Sequence, residues 1–146
     1  MNSWKGVWAT TPAESDDGKT VIVTGRRDVG SFRNNPRYSI RVNIGWPYSG
    51  DATGMPQGET SALMEEVTER LADTFDRDPV AVMTGIYTGD NRRDLVFYTT
   101  STHIFGRKLN EALADLPQLP LEISCENDPD WLEYDEMSSM LPDAAD

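Results

Sequence analysis

The chain holds one histidine and one cysteine, so any chemistry it performs has few nucleophiles and bases to draw on. A Ser-His-Asp arrangement would have to use His103. That residue falls in the first turn of a predicted helix, where the positive end of the helix dipole disfavours an imidazolium. No neighbour is placed to orient it, so it reads as a partly exposed helix-start residue. Cys125 closes an apolar alternation and is followed by Glu126 and Asp128. A reactive thiolate wants cations close by, so Cys125 reads as a small buried hydrophobe. The loop Gly50-Asp51-Ala52-Thr53-Gly54-Met55-Pro56-Gln57-Gly58 joins a predicted strand to a predicted helix, as phosphate loops do. It lacks the terminal Gly-Lys-Ser/Thr, and its glycines do not have dinucleotide spacing. It reads as a turn that needs positive φ and close backbone approach.

Carboxylates are the plentiful reactive groups. From Glu126 onward the chain carries eight acids and no Lys or Arg. The remaining seventeen acids face 13 Lys and Arg, so the body is near −4 and the last segment −8. Asp128, Asp130, Glu133 and Asp135 offer hard oxygens for a cation, but not at EF-hand spacing, which needs glycine at the sixth position and glutamate at the twelfth. A run of like charge is usually a solvated segment. Trp131, Leu132 and Tyr134 interrupt this one, and Pro129 reads as a rigid turn. The segment is therefore expected to dock as far as Tyr134 and to fray from about Ser138. The predicted organisation is one α+β domain over residues 1–137 and an acidic, frayed tail over 138–146. Arg26-Arg27 and Arg92-Arg93 are the paired cations. If they converge, they offer an anion site or a receptor for the chain's own acidic segment.

Composition narrows the classes further. The 146 residues suffice for one hydrophobic core, and 38% hydrophobic content excludes wholesale disorder. A formal charge of −12 argues against a direct nucleic-acid binder. No apolar run approaches the roughly 20 residues of a membrane helix. Met1-Asn2-Ser3-Trp4-Lys5 has no apolar signal core, and a single cysteine supports no internal disulfide. A soluble, reducing, cytoplasmic setting is expected, with no cofactor, no metal site and no membrane partner.

The elements that must position these residues follow from periodicity. Tyr38, Ile40, Val42, Ile44 and Trp46 alternate with Ser39, Arg41, Asn43 and Gly45, the pattern of a strand with one buried face. Thr20–Thr24 is a shorter β-branched strand. Val80–Thr88 and Asp94–Thr100 flank Gly89-Asp90-Asn91 and predict a hairpin. Leu121, Ile123 and Cys125 give a short last strand. Leu63, Val67, Leu71 and Phe75 recur every four residues and predict a helix closed by Asp78-Pro79. A second helix starts near Ser101 or Thr102, buries Phe105, Leu109, Ala112, Leu113 and Leu116, and ends at Pro117. The order β-βαββαβ predicts a ferredoxin-like antiparallel sheet with two helices on one face and an extra N-terminal strand at an edge. Two successive ββα units are the rival, in which Val21–Val23 would hairpin onto Tyr38–Trp46.

Gly54-Met55-Pro56, Glu59, Gly85, Phe97-Tyr98, Asp128-Pro129-Asp130-Trp131 and Tyr134, in this order from about Trp4 to Tyr134, resemble domain-of-unknown-function family 695. The resemblance implies a bacterial cytoplasmic domain and supplies no functional residues. In element order and acidity the chain is more distantly similar to the regulator of ribonuclease activity B, an acidic ferredoxin-like inhibitor that binds a ribonuclease.

The function expected is a non-enzymatic, acidic protein-interaction domain that meets a basic-surfaced partner such as a nucleic-acid enzyme. Asp128, Asp130, Glu133 and Asp135 would supply charge, and Trp131 and Tyr134 would supply affinity. The alternative is a small-ligand or metal-assisted enzyme pairing carboxylates near Asp128 with Arg92 or Arg93. A third reading makes Asp128-Pro129-Asp130-Trp131 a clasp that closes the core.

Overall fold

A computed structural model describes residues 6–142. Trp4 and the acids Asp143 and Asp146 lie outside the described residues. Six strands and four helices follow one another: β1 (Trp8–Glu14), β2 (Thr20–Arg26), α1 (Gly30–Arg33), β3 (Ile40–Pro47), α2 (Gly58–Arg77), β4 (Ala81–Gly89), β5 (Arg92–Thr99), α3 (Thr102–Ala112), β6 (Glu122–Asn127) and α4 (Leu132–Met140). The strands form one antiparallel sheet in the order β1-β2-β4-β5-β3-β6.

This order decides between the two topologies. β3 has β5 on one side and β6 on the other, so no place is left for β2 beside it. β2 instead adds beyond β4, and β1 pairs outside β2. Two successive ββα units are thereby excluded. β1 escapes period-two reading because Trp8-Ala9-Thr10-Thr11-Pro12-Ala13-Glu14 does not alternate. Its Pro12 fits a sheet edge, where no ladder donor is required.

The sheet has a core on each side. Val42, Ile44 and Trp46 from β3, Met83 from β4, and Leu95 and Phe97 from β5 pack with Met64, Val67, Leu71 and Phe75 of α2 and with Phe105 and Leu109 of α3. The rings of Phe75, Phe97 and Phe105, one from each of α2, β5 and α3, lie with centroids 5.0–5.5 Å apart. Residues of opposite parity, Val23, Val82 and Tyr98, meet Trp131 and Tyr134, Met137 and Leu141 in a second cluster. Alternate side chains on a strand point to opposite faces, so a β-sheet with helices on both sides needs this parity split. Tyr38 departs from the alternation expected of it. It precedes β3 in a turn closed by its N–H to the Asn35 carbonyl, and its side chain joins the second cluster.

The hairpin turn is Asp90-Asn91, both with positive φ (53° and 63°), the geometry of a two-residue primed turn. Asp78 is extended before Pro79, as proline requires of its predecessor. Ser101 caps α3 by accepting from the Ile104 N–H at 3.2 Å. α3 stops at Ala112 rather than running to Pro117. Arg70 donates to the Ala112 carbonyl and pairs with Asp115, satisfying the helix end there. With α3 short, β6 has no helical cover, and all six of its residues are exposed. Cys125 is therefore exposed rather than a buried hydrophobe.

Candidate functional site

The acidic segment returns to the sheet. After β6 the Asp128 N–H donates to the Ser39 carbonyl, and the Trp131 N–H donates to the Asp128 carbonyl, closing a turn around Pro129. The Asp128 side chain is 7% exposed. It accepts from the Leu132 N–H at 2.9 Å, the Glu133 N–H at 3.2 Å and the Tyr98 hydroxyl at 2.7 Å, with Arg41 Nη1 at 3.4 Å. Two orphan donors at the start of α4 are thus met by a carboxylate at the favourable end of the dipole. Burial works against the Asp128 charge. The Tyr98 hydroxyl, the two N–H groups and Arg41 outweigh it and hold the carboxyl below its ordinary range.

Trp131 sits at φ 56°, a left-handed conformation that turns the chain into α4. Its indole is 0% exposed, stacks on Tyr98 at 4.0 Å between centroids, and donates from Nε1 to the Tyr38 carbonyl at 2.8 Å. Tyr134 donates its hydroxyl to the Arg26 carbonyl at 2.6 Å. A Cβ on Gly25 of β2 would collide with the Met137 sulfur, so glycine is what lets the second half of α4 lie on the sheet. Glu133 accepts from the Tyr87 hydroxyl at 2.5 Å, while its Oε1 is buried without a partner. Burial pushes its carboxyl above the ordinary range. Burial beside Glu133 likewise pushes the Tyr87 phenol up.

Of the six residues singled out in the segment, Asp128, Trp131 and Tyr134 point into the domain and Glu133 is half-buried. Asp130 and Asp135 are exposed, and Asp135 pairs with Arg33. The stretch expected to fray from Ser138 continues α4 to Met140 and buries Leu141 to 7% exposure. The cations that receive the segment are Arg33, Arg41 and Arg27, the last donating to the Pro142 carbonyl. Of the two arginine pairs, only Arg27 takes this part. Arg26 pairs with Asp28, and Arg92 with Asp94 and Glu122.

The pairing of Asp128 with Arg92 or Arg93 does not form. Asn127 lies opposite Ile40 at one end of β3, whereas Arg93 and Arg92 lie opposite Trp46 and Pro47 at the other. Six or seven residues of strand separate them by roughly 20 Å. Arg93 also points to the other face, where it donates to Thr68 of α2. The glycine loop is a structural turn. Asp51 accepts from the Thr53 and Met55 N–H groups, and Gly54, at φ 85°, receives the Tyr48 hydroxyl and Asn91 N–H on its carbonyl. His103 is exposed on α3. Among the described residues, no group of three or more His, Cys, Asp and Glu is arranged to hold a metal ion. None of the described helices is long and apolar enough to cross a membrane.

The structure defines an α+β domain whose acidic C-terminal segment is folded back as a capped helix on the open face of the sheet. The chain belongs to a family of unknown function, DUF695, whose model matches residues 7–137. No curated protein and no solved structure matches it, so the likeness to the regulator of ribonuclease activity B rests on element order and acidity alone. The clasp residues are legible from Asp-Pro-Asp-Trp, but Tyr98 and Arg41, brought in by strand register, and Tyr38, held in the turn before β3, give no local sign that they receive them.

Proposed function

We propose that this domain is a non-enzymatic interaction module that takes an extended, basic segment of a partner protein along the free edge of β6. The observation that carries the reading is the exposure of all six β6 residues at the end of the sheet. An exposed edge strand offers a row of backbone donors and acceptors that an incoming strand completes. The two faces of β6 differ. Ile123 and Cys125 stand opposite Ile44 and Val42, on the side of α2 and α3, while Glu122 and Glu126, exposed and paired with Arg92 and Arg41, stand on the other. Ile123 is 51% exposed and borders a groove of about 330 Å³ lined by Leu113, Leu116, Leu119 and Leu121. A segment alternating apolar and basic residues matches both faces. Asp130, exposed in the turn that follows β6, extends the negative field. Trp131 and Tyr134 are assigned to the clasp rather than to the partner, because their rings are buried.

β3-α2-β4-β5-α3-β6 is read as a ferredoxin-like unit, supported by the order β4-β5-β3-β6 and by α2 and α3 sharing one core cluster. The β1–β2 hairpin then widens the sheet beyond β4. A reducing, cytoplasmic compartment belongs to the same reading, supported by a lone exposed thiol.

The test is affinity capture from native extract, with Cys125 alkylation as the locator. A basic protein is expected to be retained at low salt and released as ionic strength shortens the screening length below about 8 Å. Glu122→Gln, Glu126→Gln and Asp130→Asn together should weaken retention, and the bound partner should protect Cys125 from maleimide. Retention indifferent to those substitutions, or a bound partner that leaves Cys125 fully reactive, overturns the reading.

A further inference from the structure

Arg93 is a buried cation that the clasp and the β6 edge do not use. It is 7% exposed, and its guanidinium sits between the start of α2 and the β2–β4 side of the sheet. Nη1 donates to Thr88 Oγ1 at 2.7 Å and Nη2 to Thr68 Oγ1 at 2.9 Å. Thr68 gives its own hydrogen to the Met64 carbonyl, which fixes its oxygen as an acceptor. Nε is buried and has no partner. The one carboxylate nearby, Glu65, stands 3.6 Å from Nη2 on a side chain that is 57% exposed. A buried guanidinium held by two neutral hydroxyls and one loose carboxylate leaves both a donor and a charge incompletely met.

The same arginine lines a pocket of about 350 Å³. Its floor is set by strand register: Ile22 lies beside Thr88 and Thr24 beside Ile86. β2 runs past the edge of α2 on this face, so these residues are left open. Met55 and Pro56 close one end, and Ser61, Met64 and Glu65 of α2 overhang the other. The lining mixes apolar side chains with a few polar groups, the make-up of a small-molecule site.

We propose that this pocket binds a small amphipathic carboxylate, with the carboxylate pairing with the Arg93 guanidinium in place of Glu65 and the hydrocarbon part lying over Ile22, Ile86 and Met55. A monoanion fits better than a phosphate dianion, because Glu65 offsets part of the single arginine charge and most of the remaining wall is apolar. The exposed Glu65 side chain, 3.6 Å from Nη2, gives way as the ligand carboxylate arrives. This assignment is independent of the β6 edge, which lies at the opposite end of the sheet.

Titration of the full chain with hexanoate and benzoate, followed by backbone amide shifts and calorimetry, tests it against hexanamide and inorganic phosphate. The carboxylates are expected to bind with a dissociation constant of about 1 mM or tighter, shifting amides of Ile22, Thr24 and Ser61, while the amide binds at least about tenfold more weakly. Glu65→Gln removes the competing carboxylate and should tighten hexanoate binding several-fold. Arg93→Met should abolish it. Because that variant removes a buried side chain and can unfold the domain, Thr24→Glu, at a half-exposed position, serves as the second variant and should weaken binding about tenfold with the melting curve retained. Equal binding of hexanoate and hexanamide, preference for phosphate, no binding at about 10 mM, or a Glu65→Gln variant with unchanged affinity each overturns the proposal.

Discussion

Replacing Trp131 by alanine tests the clasp at its centre. The indole is 0% exposed, so truncation removes a whole buried ring, its stacking on Tyr98 at 4.0 Å and its bond to the Tyr38 carbonyl at 2.8 Å. Burying a tryptophan is worth about 3–5 kcal/mol by large-to-small substitution, and the stacking falls within that range. Of this, about 1 kcal/mol belongs to the Nε1–H bond, since its loss leaves the Tyr38 carbonyl unpaired. A loss near 4 kcal/mol, at a urea slope of about 2 kcal/mol per molar, moves the denaturation midpoint down by about 2 M. Trp131→Phe keeps a stacked ring and loses the bond, so its midpoint should fall by less than about half as much. Equilibrium urea unfolding followed by far-UV circular dichroism reads both. Midpoint shifts under about 0.3 M for the alanine variant, or equal shifts for the two variants, would refute the placement of the indole.

Three further outcomes follow from the same contacts. The Asp128 carboxyl is held below its unfolded range, so the stability it contributes is complete above about pH 4 and is lost as pH falls toward the depressed folded value. Asp128→Asn should cost about 2 kcal/mol at neutral pH and flatten the acid limb of stability against pH; an unchanged limb would count against the capping role. Gly25→Val puts side-chain atoms where Met137 and Leu141 lie, and should raise amide exchange through the second half of α4 and cost about 1–3 kcal/mol. Unchanged exchange there would mean that α4 does not rest on β2. Cys125 in the folded chain should react with a maleimide at the rate of a free model thiol, and a rate that rises steeply in urea would show it to be covered.

What the sequence shows of the fold is what local chemistry enforces. The Leu63–Phe75 stripe, the Asp78-Pro79 stop, the Ser101 cap and the Asp90-Asn91 turn act over a few residues, and each appears at its expected place. β1 is not legible, because Pro12 and the threonines around it carry no alternation and the strand forms by pairing with β2. α4 is hidden for a different reason: Glu133, Asp135 and Glu136 read as repulsive charge, while its cap, Asp128, lies four residues upstream of Leu132. The burial of Trp131 depends on Tyr98 and Tyr38, which are more than 30 residues away in the chain. Arg93 looks like half of a surface pair with Arg92. Only the alternation of β5, combined with the position of α2, shows that one points to solvent-exposed acids and the other into a pocket.

The acidic segment is an internal helix, and the proposed recognition surface is the β6 edge. Amide and indole hydrogen exchange of the chain, alone and with its captured partner, separates these roles in one measurement. The expected result is protection gained along 122–127 on binding, with the Trp131 indole N–H slow to exchange in both states. A Trp131 indole that exchanges freely in the isolated chain and becomes protected only with the partner would contradict it.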